Sequence, residues 1–144
     1  MKLSILNGPN LNMLGKRDPE QYGKETLKDI EQLLIDRFAD HEMVFFQSNL
    51  EGQLVEVIQS LVESDVDGLI VNFGGYSHTS VAIRDALALL EIPIVEVHLS
   101  NIHAREEFRE KTLTGSVANG IITGLGKQSY VLGVHAVEQL IRDA

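Results

Sequence analysis

Five short apolar runs alternate along the chain with longer stretches in which apolar residues recur at helical spacing. Several runs are apolar at successive positions, which is typical of parallel strands covered on both faces. The pattern therefore predicts five buried strands: KLSILN (2–7), MVFFQ (43–47), GLIVN (68–72), IVEVH (94–98) and ANGIITG (118–124).

The stretches between and after these strands have the period of amphipathic helices. Thr26 and Ser48 each begin a sequence typical of a capping box, so a helix is predicted to start at each. Further helices are predicted over 79–90, 102–109 and 127–142, the last with Tyr130, Val134, Val137 and Ile141 facing inward. Strands and helices in alternation predict an α/β fold of three layers, α/β/α, around a five-stranded parallel sheet with right-handed crossovers. No linker or repeat divides the chain, so residues 1–144 are predicted to form a single domain.

Composition limits what such a domain binds. The formal net charge is -9, so the chain lacks the basic surface that nucleic acid requires, and an anionic ligand needs a local positive pocket. Cysteine is absent, which excludes disulfides and cysteine-based metal or thiol chemistry. The first apolar run is too short for a signal peptide or a membrane span, so we expect a cytoplasmic protein that binds no membrane.

Polar residues collect after three of the predicted strands. In a parallel sheet of this kind, ligands bind beyond the carboxyl ends of the strands, where the strand order reverses. The polar residues are Asn7, Asn10 and Asn12 at the first strand, Asn72, Tyr76, Ser77, His78 and Thr79 at the third, and Glu96, His98, Ser100 and His103 at the fourth. Three separate segments are therefore predicted to meet at one edge of the sheet.

Each group also has a structural interpretation. The residues of NGPN (7–10) favour turns, and His78 belongs to the first turn of a helix. Glu96 and His98 alternate along a strand and so point to one face, where the carboxylate can orient the imidazole for proton transfer. A metal site is the rival interpretation there, but Glu-x-His with His103 nearby matches no standard ligand spacing.

The connection after the first strand is long and polar. This loop runs from about residue 8 to residue 25, whereas two to six residues usually join a strand to a helix, and loops of this length are commonly lids or disordered segments. It carries Arg17 and Tyr22. A phenol normally keeps its proton at neutral pH, but a neighbouring arginine favours the anion, so the pair can supply a base under a closed lid. A flexible hydrophilic insertion is the alternative.

Several long motifs at matching mutual spacing resemble those of the type II 3-dehydroquinate dehydratases. They are ILNGPNLNMLGKRDPEQYG, QSNLEGQLV, NFGGYSHTSVAIRDAL, VEVHLSNIHAREEFR and GLGKQSYVLGV, and they cover essentially the whole chain in order. The resemblance implies a flavodoxin-like fold, a homododecamer built as a tetramer of trimers, and no metal or organic cofactor. The implied reaction is anti elimination of water from 3-dehydroquinate, through an enolate, to give 3-dehydroshikimate.

The resemblance also implies roles for individual residues. Tyr22, supported by Arg17, would take the proton from C2 of the substrate, and Asn10 would hold a water that stabilises the enolate. His98, oriented by Glu96, would protonate the departing hydroxyl. The implied substrate-binding residues are Asn72, His78, Arg109, the backbone N–H groups of Leu99 and Ser100, and Asp85, which would reach a neighbouring subunit's site.

The chain departs from the family pattern at two places. Phe73 and Gly75 stand where relatives usually have proline and alanine, which bears on the rigidity of the loop after Asn72; we expect Phe73 to be a tolerated scaffold variant. The segment REKTLTG (109–115) replaces a more usual His-rich, Ser-containing segment, with consequences for packing or subunit contacts.

Two other functions fit the same fold. A flavodoxin-like FMN-binding domain needs a Ser/Thr-rich phosphate loop after the first strand, and NGPNLNMLG (7–15) is not such a loop. A signalling receiver domain needs acidic residues there and an aspartate at the end of the third strand, where this chain has Asn7 and Asn72. An inactive scaffold is a third hypothesis. We expect the enzyme, because the chain keeps every chemical group that the resemblance requires. The sequence leaves open whether the reaction serves aromatic biosynthesis or quinate breakdown.

Overall fold

The computed structural model describes residues 1–144 and contains one sheet of five parallel strands in the order β2-β1-β3-β4-β5. Each strand lies within two residues of its predicted ends, so the predicted α/β fold is confirmed. The strands are β1 (Lys2–Asn7), β2 (Glu42–Gln47), β3 (Gly68–Asn72), β4 (Ile94–His98) and β5 (Gly120–Thr123). After β2 the chain returns to the other side of β1, so the strand order reverses between β1 and β3, as in flavodoxin-like folds.

The helices follow the strands and cover both faces of the sheet. They are α1 (Pro19–Tyr22), α2 (Leu27–Arg37), α3 (Glu51–Ser60), α4 (Tyr76–Thr79), α5 (Val81–Leu87) and α6 (Gln128–Arg142), with 3₁₀ turns at Leu11–Met13, Ile102–Ala104, Glu107–Arg109 and Thr114–Val117. No helix in the protein combines the length and the apolar character that crossing a bilayer demands.

Two apolar clusters lie on opposite faces of the sheet because side chains alternate along each strand. Ile5 and Ile70 belong to the cluster under α2 and α6, whereas Leu6 and Val71 belong to the cluster under α3 and α5. Burial of one such side chain stabilises the fold by about 1.5–3 kcal/mol. The inward face predicted for the last helix is confirmed: Tyr130, Val134 and Val137 are buried and Ile141 packs against the same cluster.

Hydroxyl side chains cap two of the six helices, α2 and α5. The capping box predicted at Thr26 is confirmed, because Thr26 Oγ1 accepts from the N–H of Asp29 and Asp29 Oδ2 accepts from the N–H of Thr26. The capping box predicted at Ser48 is wrong. Ser48 Oγ accepts from the N–H of Leu50 in a turn, and α3 starts only at Glu51.

Two predicted helices are broken in the structure. The helix predicted over 79–90 is divided at Ser80, which has an extended backbone and whose Oγ accepts from the N–H of Ile83 at the start of α5. The helix predicted over 102–109 is two 3₁₀ turns separated by Arg105, which is also extended. Both breaks lie close to the carboxyl ends of β3 and β4, where they set the direction of the site residues.

Candidate active site

A cavity of about 140 Å³ lies at the carboxyl ends of β1, β3 and β4, where the strand order reverses. Engineered cavities of about 150 Å³ hold a benzene ring, so the volume suits one small cyclic molecule. The predicted site residues that line it are Asn10, Arg17, Tyr22, Asn72, His78, His98, Leu99, Ser100 and Arg109. The predicted meeting of three segments and the long loop at one edge of the sheet is therefore confirmed.

The lining of this cavity is cationic. Arg17, Arg105 and Arg109 contribute three guanidinium groups, and no carboxylate is among the lining residues. The chain as a whole carries a formal charge of -9, so positive charge is concentrated at this one place. An anionic ligand would be attracted here, since a cleft lined by one sign of charge concentrates ligands of the other sign.

Glu96 and His98 form the hydrogen-bonded pair predicted from their alternation on β4. His98 Nε2–H donates to Glu96 Oε2 at 2.9 Å, and Glu96 is completely buried behind the imidazole. The second carboxylate oxygen, Oε1, accepts a hydrogen bond from the hydroxyl of Thr114. Because the carboxylate holds the Nε2 proton, His98 is left with Nδ1 for proton exchange with a ligand.

His78 lies beside His98 with its orientation fixed by the backbone. Its Nδ1–H donates to the carbonyl oxygen of Lys111 at 2.9 Å, and the two imidazole rings stack with centroids 6.0 Å apart. Burial lowers the pKa of His78, and the neighbouring His98 and Arg109 lower it further against the opposing effects of the Lys111 carbonyl and of Glu96. A neutral His78 with the proton on Nδ1 keeps Nε2 as a hydrogen-bond acceptor.

The long loop after β1 has its own ordered turn of helix, which the sequence analysis did not predict. Asp18 caps α1 by accepting from the N–H of Glu20 at 3.0 Å, and Pro19 occupies the first helical position, where it needs no N–H partner. The helix ends at Gly23, whose φ of 81° favours glycine. Tyr22 is therefore the last residue of a defined helical turn.

Arg17 and Tyr22 are brought together, as predicted, through the face of the phenol ring. The Arg17 Cζ atom lies 3.8 Å from the ring centroid, which is a cation–π geometry. At the far end of the loop, Lys127 Nζ donates to Glu25 Oε1 at 2.8 Å and ties the loop to the start of α6. The loop is thus tied to α6 at this end, and its residues Arg17 and Tyr22 line the cavity.

Arg105 is the site residue that the sequence analysis missed. Its Nη2–H donates to the Tyr22 hydroxyl at 2.7 Å and its Nη1–H donates to Ser100 Oγ at 3.1 Å. A continuous helix over 102–109 was predicted, and the extended backbone at Arg105 breaks it. The sequence shows a second arginine close to Arg109, but helical spacing gives no direction for its side chain because the segment is not a helix.

Asn72 is held by a buried network that spans the two strands at the switch point. Tyr130, which is fully buried, accepts from Asn72 Nδ2 at 2.9 Å and donates to Asn7 Oδ1 at 2.6 Å. Burial raises the pKa of the Tyr130 phenol, so it remains a neutral donor. Gly8 closes the same junction: its N–H donates to the Asn72 carbonyl at 2.8 Å, and a Cβ at Gly8 would lie 2.4 Å from the carbonyl oxygen of Phe73.

Asn10 has a left-handed backbone with φ of 70°, and its N–H donates to Asn49 Oδ1 at 3.0 Å.

Asp85 lies outside the cavity lining, exposed on α5 and paired with Arg84 at 3.0 Å. Tyr76 donates to the Asn49 carbonyl. Nowhere in the chain do three His, Asp or Glu side chains come together in an arrangement that could hold a metal ion.

The fold and the site define an α/β domain of flavodoxin-like topology with a cationic acid–base site at its switch point. The family model for Dehydroquinase class II matches residues 1–138 of the chain. The 3-dehydroquinate dehydratase of Bacillus licheniformis is 53% identical over 133 residues, covering 90% of each chain. That of a Nitratiruptor species is 48% identical over 146 aligned positions, covering 99% of this chain and 92% of the relative.

Solved structures agree with the sequence relatives. The crystal structure of the type II dehydroquinase from Butyrivibrio crossotus superposes with a TM-score of 0.93 at 39% identity, covering 96% of this chain and 97% of that one. The chain belongs to the class II dehydroquinase family. The resemblance drawn from the sequence motifs is therefore confirmed.

Proposed function

We propose that the chain catalyses the anti elimination of water from 3-dehydroquinate to give 3-dehydroshikimate, and so acts as a hydro-lyase. One observation carries this proposal: Tyr22, with a guanidinium at its hydroxyl, and His98, with a carboxylate behind it, line the same small cationic cavity. The elimination needs one group that takes a proton and one that gives a proton, and it needs no cofactor. The carboxylate of the substrate accounts for the positive lining.

Tyr22 is the proposed base that removes the proton from C2. Its hydroxyl oxygen accepts from Arg105, and its ring lies against Arg17, so two positive charges favour the phenolate. The enolate that results carries negative charge on the carbonyl oxygen. Asn10 is proposed to hold the water that stabilises this oxyanion, in the manner of a fixed dipole aimed at developing charge.

His98 is the proposed acid in the second half of the reaction. Glu96 accepts a hydrogen bond from Nε2–H, so the proton that is transferred to the departing hydroxyl leaves from Nδ1 of the imidazolium. The C–O bond to the departing hydroxyl breaks as that hydroxyl takes the proton and leaves as water. The electron pair of the enolate then forms the new carbon–carbon double bond. The proton taken by Tyr22 passes to solvent and His98 regains a proton from solvent, which restores the enzyme.

Substrate binding is proposed to use the rest of the lining. Arg109 supplies positive charge, and the backbone N–H groups of Leu99 and Ser100 lie beyond the end of β4, where they are able to bind the carboxylate. Asn72 and His78 are proposed to bind hydroxyl groups. Asn72 donates from Nδ2 to Tyr130 and accepts at Oδ1 from the N–H of Gly74, which leaves a second N–H and a second lone pair for a ligand. His78 uses Nδ1 for the Lys111 carbonyl and keeps Nε2 for a ligand.

The quaternary and cellular setting is also part of the proposal. Asp85 is exposed and outside the cavity, which suits a residue that reaches the site of a neighbouring subunit in a homododecamer built as a tetramer of trimers. We place the enzyme in the cytoplasm and its reaction in the shikimate pathway of aromatic amino acid biosynthesis, or in quinate catabolism, which shares this step.

Addition of 3-dehydroquinate to the purified protein tests the proposal. The product has a carbon–carbon double bond conjugated to its carbonyl, so turnover should raise the ultraviolet absorbance. The Tyr22→Phe and His98→Gln variants, prepared in the same way, control for a contaminating host enzyme. An unchanged absorbance at micromolar wild-type protein would contradict the proposal.

A further inference from the structure

We infer that Thr114 is a positioning residue for the acid half of the site: its hydroxyl fixes the Glu96 carboxylate, and through it the proton on Nε2 of His98. The inference rests on the proposed function, in which His98 is the proton donor. Thr114 is outside the cavity lining and cannot touch the substrate, so its effect must pass through Glu96.

The contact is buried on both sides. Thr114 and Glu96 each have no solvent exposure, and Thr114 Oγ1–H donates to Glu96 Oε1 while His98 Nε2–H donates to Oε2. A carboxylate only accepts, so the direction of both hydrogen bonds follows from the chemistry. These two donors are the side-chain groups that satisfy the carboxylate.

The backbone around Thr114 is shaped for this approach. Thr114 begins a 3₁₀ turn, and the N–H of Gly115 donates to Thr112 Oγ1 at 3.1 Å. A Cβ at Gly115 would lie 2.1 Å from Thr112 Oγ1 and 3.1 Å from Glu96 Oε2. Glycine is therefore the residue that lets this turn close against the carboxylate.

The same segment holds the second imidazole. The carbonyl oxygen of Lys111 accepts from Nδ1–H of His78, and the N–H of Leu113 donates to the Ser77 carbonyl at 2.7 Å. Residues 111–114 thus contact the His78 imidazole directly through the Lys111 carbonyl, and they reach the His98 imidazole through Glu96. Thr114 is the member of the segment that acts on His98, whereas Lys111 acts on His78.

Removal of the hydroxyl alone should disturb the tautomer of His98. An Oε1 atom left without a donor in a fully buried site drives the carboxylate to rotate or to take up a proton, because an unpaired buried charge is costly. Either change weakens the bond that holds the proton on Nε2. Neutral His98 then spends part of its time with the proton on Nδ1, and the protonated acid loses its stabilising partner.

The test compares variants that separate the hydroxyl from the volume of the side chain. Thr114→Val keeps the shape and loses the hydroxyl, whereas Thr114→Ser keeps the hydroxyl; Thr114→Ala serves as the partner of Thr114→Ser if the valine variant does not fold. Thr112→Val is the matched control, because it removes a bonded hydroxyl of the same turn that does not touch Glu96.

We expect kcat for 3-dehydroquinate to fall about tenfold to a hundredfold in Thr114→Val, by analogy with the loss of a hydrogen-bond partner behind a metal-binding histidine. KM should change less than about threefold, since no substrate contact is removed. The limb of the pH–kcat profile that reports His98 should move, and Thr114→Ser should restore both kcat and that limb. Thr112→Val should leave the limb in place.

Nitrogen NMR of the labelled imidazoles provides a readout that needs no turnover. Wild type should show His98 protonated on Nε2, and Thr114→Val should show a mixture of tautomers. A wild-type tautomer and pH profile in Thr114→Val, or the same shift in Thr112→Val, would overturn the inference. Failure of wild type to convert 3-dehydroquinate would instead defeat the proposed function, while the NMR comparison would still decide whether Thr114 acts on His98.

Discussion

Arg105 and Tyr22 are joined by a hydrogen bond of 2.7 Å from the guanidinium to the phenol oxygen, across 83 positions of sequence. Arginine only donates, so the phenol oxygen is the acceptor and the proton of Tyr22 is free to leave or to be shared elsewhere. The positive charge at the oxygen favours the anion that remains. This bond therefore joins the long loop after β1 to the segment after β4, and it supports the role of base that we propose for Tyr22.

Tyr22→Phe should lower kcat for 3-dehydroquinate by about 10²–10⁴, the usual contribution of a general base. The ring and its contact with Arg17 are kept, so KM should change little. Steady-state kinetics measure both constants, and a thermal unfolding curve shows whether the fold is kept. Retention of more than about a tenth of wild-type kcat would mean that Tyr22 is not the base.

Loss of either arginine at Tyr22 should lower turnover by about one to three powers of ten, the effect of a neighbouring cation on the population of an anion. The two differ in what lysine can replace. Arg17 lies over the ring face, so Arg17→Lys should recover part of the loss in Arg17→Ala. Arg105 uses two nitrogens, one for Tyr22 and one for Ser100, so Arg105→Lys should recover less.

The control for these arginine variants is Arg37→Ala at the exposed end of α2, which should keep wild-type kcat. Equal recovery by Arg17→Lys and Arg105→Lys would show that the planar fork of Arg105 is not needed. If turnover fell in Arg17→Ala but not in Arg105→Ala, Arg17 and not Arg105 would be the residue that supports the Tyr22 anion.

The sequence predicted the strands and the position of the site, because both depend on local patterns. Alternating and continuous apolar runs define the strands, and the end of β4 places Glu96 and His98 on one face. In the long loop after β1, Asp18 as the capping residue and Pro19 at the first helical position are also local signals. The short helix α1 that follows them could therefore have been predicted from the sequence.

The contacts that orient the site residues could not be predicted in this way. Thr114 meets Glu96 across 18 positions and Tyr130 meets Asn7 across 123, so each depends on how distant segments pack. Arg105 was hidden because its direction depends on a break between two 3₁₀ turns. Helical periodicity gives no information about such a break.

Sodium borohydride added with substrate should leave activity intact, because no lysine lines the cavity and no Schiff base is expected. Lys2 is bonded to Asp65 and Lys127 to Glu25, and the other four lysines, Lys16, Lys24, Lys28 and Lys111, are exposed. Residual activity and intact mass are the measurements. Irreversible loss of activity with a mass increase the size of the substrate would contradict the prediction.

Phe73→Pro should destabilise the fold more than it harms the chemistry. The Phe73 side chain is fully buried among the largest in the core, so its loss should lower the free energy of unfolding by about 3–5 kcal/mol. Turnover per folded molecule should stay within about tenfold, since the ring is not in the cavity lining. The tolerance that the sequence suggested for this position thus applies to the chemistry and not to stability.

Gly75→Ala is the matched control at the second departure from the family pattern. Gly75 has helical dihedral angles, φ −60° and ψ −29°, and a Cβ there meets no atom within 4 Å. The free energy of unfolding should therefore rise by about 0.4–1 kcal/mol, because alanine restricts the unfolded chain. Denaturant titration gives the free energy of unfolding of both variants. If Phe73→Pro were as stable as wild type, the core would have closed around the smaller residue.

His78 should make the protein less stable as the pH falls. Burial lowers its pKa in the folded state, with His98 and Arg109 acting in the same direction, whereas the unfolded chain has the ordinary value of about 6.5. Below that value the unfolded state binds more protons at this site than the folded state does, so acid favours unfolding. The contribution of His78 to stability is therefore fully present above about pH 6.5 and declines as the pH drops toward the folded pKa.

The measurement compares wild type with His78→Gln in denaturant titrations at pH 7.5 and pH 5.5, at one protein concentration because any assembly shifts the midpoint. These pH values, about one unit above and below the ordinary histidine value, bracket the start of the expected decline. Wild type should lose more stability between them than His78→Gln does. NMR titration of the imidazole should give a midpoint below the ordinary value, and Arg109→Gln should raise that midpoint by removing a like charge. A midpoint at or above the ordinary value would mean that the Lys111 carbonyl and Glu96 outweigh burial. A cationic form of His78 would then compete at neutral pH with the hydrogen-bond acceptor proposed for substrate.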